Sequence, residues 1–203
     1  MNGGNTAPHG WAIWITGLPG CGKSTLARAV RDALLARGVR VEILEMDALR
    51  KTWFPEPTYS AEERDMAYAL LVDEAAALTR QGRNVIIDAT APALAMRRVA
   101  RKRIARFAEA FVRCSVDTAM RREEARPEGK VMAGLYRKAL ERKATGRRFE
   151  GLGLVPGVDV PFEEDPAAEV VVDGEIEGLS RARDKVLDFL ARWPGVASSD
   201  TSR

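Results

Sequence analysis

Histidine is nearly absent from this chain. Its 203 residues include one, His9, in the opening stretch. That excludes a histidine-built metal centre and a serine–histidine triad. Cysteine is scarce as well. Cys21 and Cys114 are the only two, too few for a disulfide framework, and they read as reduced thiols. No apolar run reaches the ~18 residues that a membrane helix needs, so neither a span nor a membrane partner is predicted. The start, MNGGNTAPHG, lacks a charged-then-apolar secretion pattern, which predicts a loose tail and a cytoplasmic protein. The guanine-reading string N-K-x-D does not occur, and no internal repeat is visible.

What is present suffices for one good core. Hydrophobic residues make up 46% and charged residues 30%, ordinary for a globular chain of this length. A single domain is expected over residues 11–193, with flexible tails at 1–10 and 194–203. The net charge is only +3, but arginines cluster in MRRVARKRIARF, Met96 to Phe107. This stretch reads either as a solvated helix face or as a surface for an anionic substrate or nucleic acid.

Apolar, β-branched runs alternate with helical patterns. WAIWIT (Trp11–Thr16), VRVEIL (Val39–Leu44), NVIIDAT (Asn84–Thr90), EAFVRCSVD (Glu109–Asp117) and AEVVVDG (Ala168–Gly174) read as strands. Leu26, Val30 and Leu34 lie on one helix face, and Gly38 ends that helix. KTWFPEPTY reads as a proline-broken loop. Ser60 with Glu63 forms a capping box opening a helix to about Arg80. Another helix is expected from about Pro92 to Phe107. A helical segment and a charged, glycine-containing region follow Asp117. LSRARDKVLDFLARW is the last helix, with Val186, Leu190 and Trp193 inward. The predicted fold is α/β: a P-loop-type parallel sheet of about five strands, helices on both faces and a helical lid over about 121–165. Such sheets bind ligands beyond the carboxyl ends of their strands.

The first of those ends carries GLPGCGKST. Gly17, Gly22, Lys23 and Ser24 satisfy G-x-x-x-x-G-K-[ST], with a strand before and a helix after. Glycines let peptide N–H groups converge on phosphate oxygens. The helix start points its positive end at them. Lys23 reaches the β- and γ-phosphates, and the Ser24 hydroxyl can ligate Mg²⁺. The predicted triphosphate cradle is Gly17, Leu18, Pro19, Gly20, Cys21, Gly22, Lys23, Ser24 and Thr25. The chain is too short for a motor or remodelling ATPase and lacks the guanine signature. A small kinase is what the elimination leaves.

Beyond this loop the sequence resembles the adenylylsulfate (APS) kinases over roughly residues 11 to 190. LEMDALR is similar to their L-D-G-D-x-x-R and keeps Asp47 and Arg50. GLYRKAL (Gly134–Leu140) is similar to G-L-Y-K-K-A. FEGLGLVPGVDVPFEEDP is similar to F-x-G-I-D-S-P-Y-E-x-P, with several extra residues before Asp159. The chain departs from the pattern where Ala91 replaces a serine, Leu94 an arginine and Met96 an aspartate. Arg64 remains, without the asparagine and paired arginines that follow it in the family. Most of these departures fall on residues that grip the acceptor. VIIDAT also resembles the third-strand end of small kinases acting on nucleic-acid ends or tRNA-linked groups.

The resemblance implies Mg-ATP as phosphoryl donor and the 3′-hydroxyl of adenosine 5′-phosphosulfate as acceptor. Asp47 is expected to orient or deprotonate that hydroxyl, with Lys23 and Lys138 as further catalytic groups. Ser24 and Asp88 are expected at the metal. Arg50, Arg64 and Arg97 would hold acceptor anions. Arg126 and Lys138 would close with the lid, Arg126 over ATP. Phe149 and Phe162 would stack on a base, or else belong to the core. Family members are often homodimers. Two alternatives stand: a kinase for another hydroxyl (a nucleic-acid end, a sugar or a specialised metabolite) and a nucleotide-binding regulator without catalysis.

Overall fold

The computed structural model describes residues 9–125 and 132–193. The predicted tails lie almost wholly outside that range. Gly10, assigned to the first tail, is buried and donates its N–H to the Thr79 carbonyl. Five strands build one sheet: β1 (Ala12–Thr16), β2 (Val41–Glu45), β3 (Asn84–Asp88), β4 (Phe107–Arg113) and β5 (Val170–Asp173). Their order is β2-β3-β1-β4-β5, and every pairing is parallel. Among the described residues seven helices connect and cover them: α1 (Lys23–Leu35), α2 (Met46–Trp53), α3 (Ala61–Arg80), α4 (Leu94–Arg103), α5 (Val116–Glu124), α6 (Leu135–Thr145) and α7 (Leu179–Arg192). Among the described residues, no helix is long and apolar enough to cross a membrane.

The central strand shows why both faces are covered. Successive side chains of a strand point to opposite faces. Ile13 and Ile15 enter a core with Leu26, Val30 and Leu34 of α1 and Val186 and Leu190 of α7. Ala12 and Trp14 enter a second core with Leu71 and Ala75 of α3 and Ala100 of α4. Ile13, Ile15 and Trp14 have no exposed surface, and each contributes roughly 2–3 kcal/mol by leaving water. Trp14 also donates its indole N–H to the Ala89 carbonyl at 2.9 Å, so the core is tied to the loop after β3.

Three predicted boundaries are corrected. Residues 46–53 form α2, with Met46 and Arg50 buried one turn apart, where a loop was expected through Lys51–Trp53. The helix expected to reach Phe107 stops at Arg103. Phe107 instead pairs with Ala12 and meets Trp14 edge-on at 6.3 Å, opening β4 two residues early. Val39 belongs to the turn closing α1, donating its N–H to the Leu34 carbonyl, so β2 begins at Val41. Within the predicted lid lie the end of α5, all of α6 and an irregular run after Gly146.

Candidate active site

The loop between β1 and α1 sits over the carboxyl end of the sheet. Gly22 caps α1 with φ 103°, a backbone state that L side chains rarely adopt. Gly20 is pressed on α5, so that a Cβ there would fall 2.2 Å from the Ala119 carbonyl oxygen. No acidic residue occupies the first turn of α1, so its positive end is left for an anion. Lys23 is buried and donates to the Leu18 carbonyl at 3.0 Å, which holds its ammonium inside the loop.

Register places the carboxylates. β3 lies between β1 and β2, and Asp88 aligns with Ile15 on one side and Glu45 on the other. Asp88 is therefore buried at the loop's flank. Asp47, in the first turn of α2, follows directly from the end of β2. The Thr16 hydroxyl donates to the Thr90 carbonyl at 2.6 Å and ties the two strand ends together.

One cleft of about 1060 Å³, including its open mouth, joins these groups. Pro19, Gly20, Gly22, Lys23 and Ser24 line its phosphate end, with Asp88 beside them. Asp47, Arg50, Tyr59 and Arg64 line the rest, against Gly153–Pro156 opposite. The structure thus brings together both expected carboxylates, Lys23, Ser24 and two of the three expected arginines. Thr25, Leu18, Gly17 and Cys21 support the loop from outside the cleft wall.

Arg50 and Tyr59 are held by Glu63. The Ser60 hydroxyl accepts the Glu63 N–H at 3.1 Å, the predicted half of the capping box. The Glu63 carboxylate, however, reaches past Ser60 to the Thr58 and Tyr59 amides, the Thr58 hydroxyl and Arg50. Burial alone would raise this carboxyl. The bonds from Thr58, Tyr59 and Arg50 outweigh it and hold the group below the usual range. Tyr59 takes a left-handed φ of 53°, its ring beneath the Arg50 guanidinium at 5.2 Å. Arg64 donates to the Leu154 carbonyl across the cleft.

Four predicted site residues lie elsewhere. Arg97 does not reach the cleft. Its guanidinium is buried behind the wall, bonded to Glu109 at 3.0 Å and to the Ala91 and Glu163 carbonyls. It fixes the loop that carries Thr90 and Pro92 and has no donor directed at an acceptor anion. Phe162 stacks on Phe111 at 5.3 Å and under Arg97 at 5.0 Å. Phe149 packs against the α1-side core. Lys138 is half-buried on α6, outside the cleft lining. Arg126 lies outside the described residues. Part of the arginine cluster is paired within the fold: Arg97, Arg101 and Arg103 bond to Glu109, Glu169 and Asp73.

Sequence reasoning missed Tyr59, Tyr68, Glu123 and Gly153–Pro156. Tyr68 is buried and its hydroxyl accepts the Ala91 N–H at 2.6 Å. Burial pushes its phenol up to about 12. Glu123 accepts the Leu135 N–H at 3.1 Å and so caps α6, beside the phosphate end. Tyr59 could have been read from TYS, an aromatic immediately before the cap.

The Adenylylsulphate kinase family model matches residues 9–173. A probable adenylyl-sulfate kinase of Archaeoglobus fulgidus is 37% identical over 163 residues, 80% of this chain and 95% of that protein. An adenylyl-sulfate kinase of a Synechococcus species is 33% identical over 182 residues, 90% of this chain and 94% of that one. In structure the chain is similar to the Mycobacterium tuberculosis APS kinase CysC in complex with AMPPNP and APS. That likeness has TM-score 0.74 and 26% identity, covering 90% of this chain and 98% of the other. A sugar kinase from a Janibacter species, at 19% identity and TM-score 0.64, shares the fold. With a matching family model over most of its length and relatives this similar, the chain belongs to the adenylylsulphate kinase family.

Proposed function

We propose that this protein transfers the γ-phosphoryl group of ATP to the 3′-hydroxyl of adenosine 5′-phosphosulfate. The observation that carries the reading is the single cleft joining the phosphate loop to Asp47, Arg50 and Arg64. Donor and acceptor would meet there end to end. A related chain of the same fold is described in complex with AMPPNP and APS, which supports both ligand classes.

Phosphoryl transfer is mostly positioning and neutralisation of charge. The loop amides and Lys23 would cradle the β- and γ-phosphates. Lys23 would exchange the Leu18 carbonyl for phosphate oxygens. Asp47 would accept or orient the acceptor's hydroxyl proton, since it faces the cleft next to the loop. Arg50, already aligned by Glu63, and Arg64 would hold the acceptor's anionic groups by planar, forked donors. Tyr59 offers the acceptor's base a flat face. The cleft's donor set fits Mg²⁺, which takes few protein oxygens and keeps waters and phosphates. The Ser24 hydroxyl and the buried Asp88 carboxylate would hold it, the latter directly or through water. Bound there, the ion would supply neutralisation of phosphate charge.

A second reading, another hydroxyl acceptor in the same cleft, draws on the Arg64–Leu154 bond, which engages an expected acceptor ligand. An acceptor panel separates the two. Purified protein is incubated with MgATP and, separately, APS, oligonucleotides and sugars, and the phosphorylated product is identified by mass spectrometry. Phosphorylated APS is expected. Product from another acceptor alone would establish the second reading instead.

A further inference from the structure

Residues 152–155 form neither helix nor strand, yet Gly153, Leu154 and Val155 line the cleft. They fall in the stretch where this chain carries extra residues before Asp159, relative to the family pattern F-x-G-I-D. An irregular run has no ladder of its own to satisfy its peptide groups. Here two guanidinium groups do so. Arg142 of α6 donates to the Leu152 carbonyl at 2.8 Å and to the Gly153 carbonyl at 2.9 Å. Arg64 of α3 donates to the next carbonyl, that of Leu154. Three successive carbonyls are thus held by arginines from two different helices.

A carboxylate completes the arrangement. One oxygen of Asp159 accepts from Arg142 at 2.7 Å and from the Val155 N–H at 2.7 Å. The Val155 carbonyl in turn accepts the Asp159 N–H at 2.9 Å. Both charged side chains are largely shielded, at 23% and 13% exposure, so their bonds face little competition from water. Leu152 and Val155 are buried in the α1-side core, whereas Leu154 is exposed. The run is a strap with its side chains anchored in the core and its backbone fixed by Arg142 and Asp159.

From this geometry we infer that Arg142 and Asp159 are positioning residues for the acceptor. They hold the strap at the width that the acceptor end of the cleft requires. The inference rests on the proposed transfer to APS and adds a specificity element to it. Neither side chain lines the cleft, so both act through the strap. The strap touches two groups assigned to the acceptor. Gly153 packs on Tyr59 so closely that a Cβ would fall 2.5 Å from the Tyr59 carbonyl oxygen. The Leu154 carbonyl engages Arg64, and an acceptor anion would have to take its place. With the strap fixed, Arg64 stays at the cleft's edge and the space beside Tyr59 keeps its shape. With the strap released, the wall recedes and Arg64 loses its fixed partner. The phosphate loop lies on other elements and keeps its geometry.

The test uses the full chain and the variants Arg142→Met, Arg142→Lys and Asp159→Asn. Lysine keeps a point charge for Asp159 but lacks the planar fork that spans two carbonyls. Hydrogen–deuterium exchange without ligand follows the peptide covering the strap. Exchange there should be about tenfold or more faster in Arg142→Met, with the α1 peptide unchanged. Steady-state kinetics with MgATP and APS give the second readout. In Arg142→Met the KM for APS should rise about tenfold, while the KM for ATP stays within a factor of about two. Arg142→Lys and Asp159→Asn should lie between parent and Arg142→Met in both readouts, and they carry the comparison should Arg142→Met fail to fold. A strap that exchanges alike in parent and variants would overturn the inference. So would faster exchange with an unchanged KM for APS, or equal rises in both KM values, the mark of a generally loosened fold. A parent without APS-dependent turnover would defeat the proposed function instead, and exchange alone would then decide whether the pair holds the strap.

Discussion

The Tyr136 hydroxyl donates to the Pro19 carbonyl at 2.8 Å, joining α6 to the phosphate loop across 117 positions of sequence. Tyr136 has no exposed surface, so water does not replace this bond when it is lost. Burial pushes its phenol well above the usual tyrosine range, which keeps it a donor at every working pH. Tyr136→Phe should cost about 1 kcal/mol of stability. It should also weaken ATP binding several-fold, because the loop loses its tie to α6. Denaturation and nucleotide titration of the variant check this. Unchanged affinity would confine the bond to a structural role.

Asp47 lines the cleft from the first turn of α2 and is not part of the glycine loop itself. Asp47→Asn removes a proton acceptor and changes little in volume. The turnover rate should fall about 10²–10⁴-fold, the range for a general base. ATP affinity should stay within a factor of about two of the parent's. Steady-state kinetics paired with calorimetry measures both.

Glu109 offers a pH signature. Its Oε1 is buried with no hydrogen-bond partner. Burial pushes the carboxyl up to about 7, against the pull of Arg97. A folded-state value above the unfolded one means that the fold favours the protonated acid. This contribution is complete below about 4.5, declines as pH rises to about 7, and is gone above. Its size is on the order of 3 kcal/mol. Denaturant unfolding at pH 5 and pH 8 should show that loss in the parent and not in Glu109→Gln, whatever the variant's absolute stability. Equal pH slopes would contradict the assignment.

Gly153 lies where the irregular run crosses Tyr59. A Cβ there would fall 2.5 Å from the Tyr59 carbonyl oxygen and 2.6 Å from its Cβ. Backbone cannot yield as a flexible side-chain tip does. Gly153→Ala should therefore destabilise by about 1–3 kcal/mol. It should raise the acceptor's KM more than that of ATP, since the displaced wall faces Arg64 and Tyr59. Thermal unfolding and the two KM values test this.

The parallel sheet and the phosphate end of the cleft were legible in the sequence because their signals are local. β-branched runs such as NVIID bury on both faces and read as strands wherever they occur. The loop's glycines answer to a backbone geometry set within a few residues. The acceptor end was less legible because its parts come from distant segments. Arg97 looked like a ligand through the family resemblance. Its fate depended on Glu109, a buried carboxylate on a strand that sequence pattern alone could not pair with it. Phe162 read equally as a stacking ring or core, and Phe111 decided for packing. α2 was hidden because the strand-end reading of EMDALR and the prolines after Phe54 masked a two-turn helix. Gly153–Pro156 entered the site through contacts with Tyr59 and Arg64, which no periodicity encodes.

The central claim is that phosphate loop and acceptor arginines serve one transfer reaction. ADP release at saturating MgATP, followed as APS is added, tests it most directly. The account predicts release that rises and saturates with APS and is nearly abolished in Asp47→Asn. Release independent of APS, or equal in parent and variant, would contradict it.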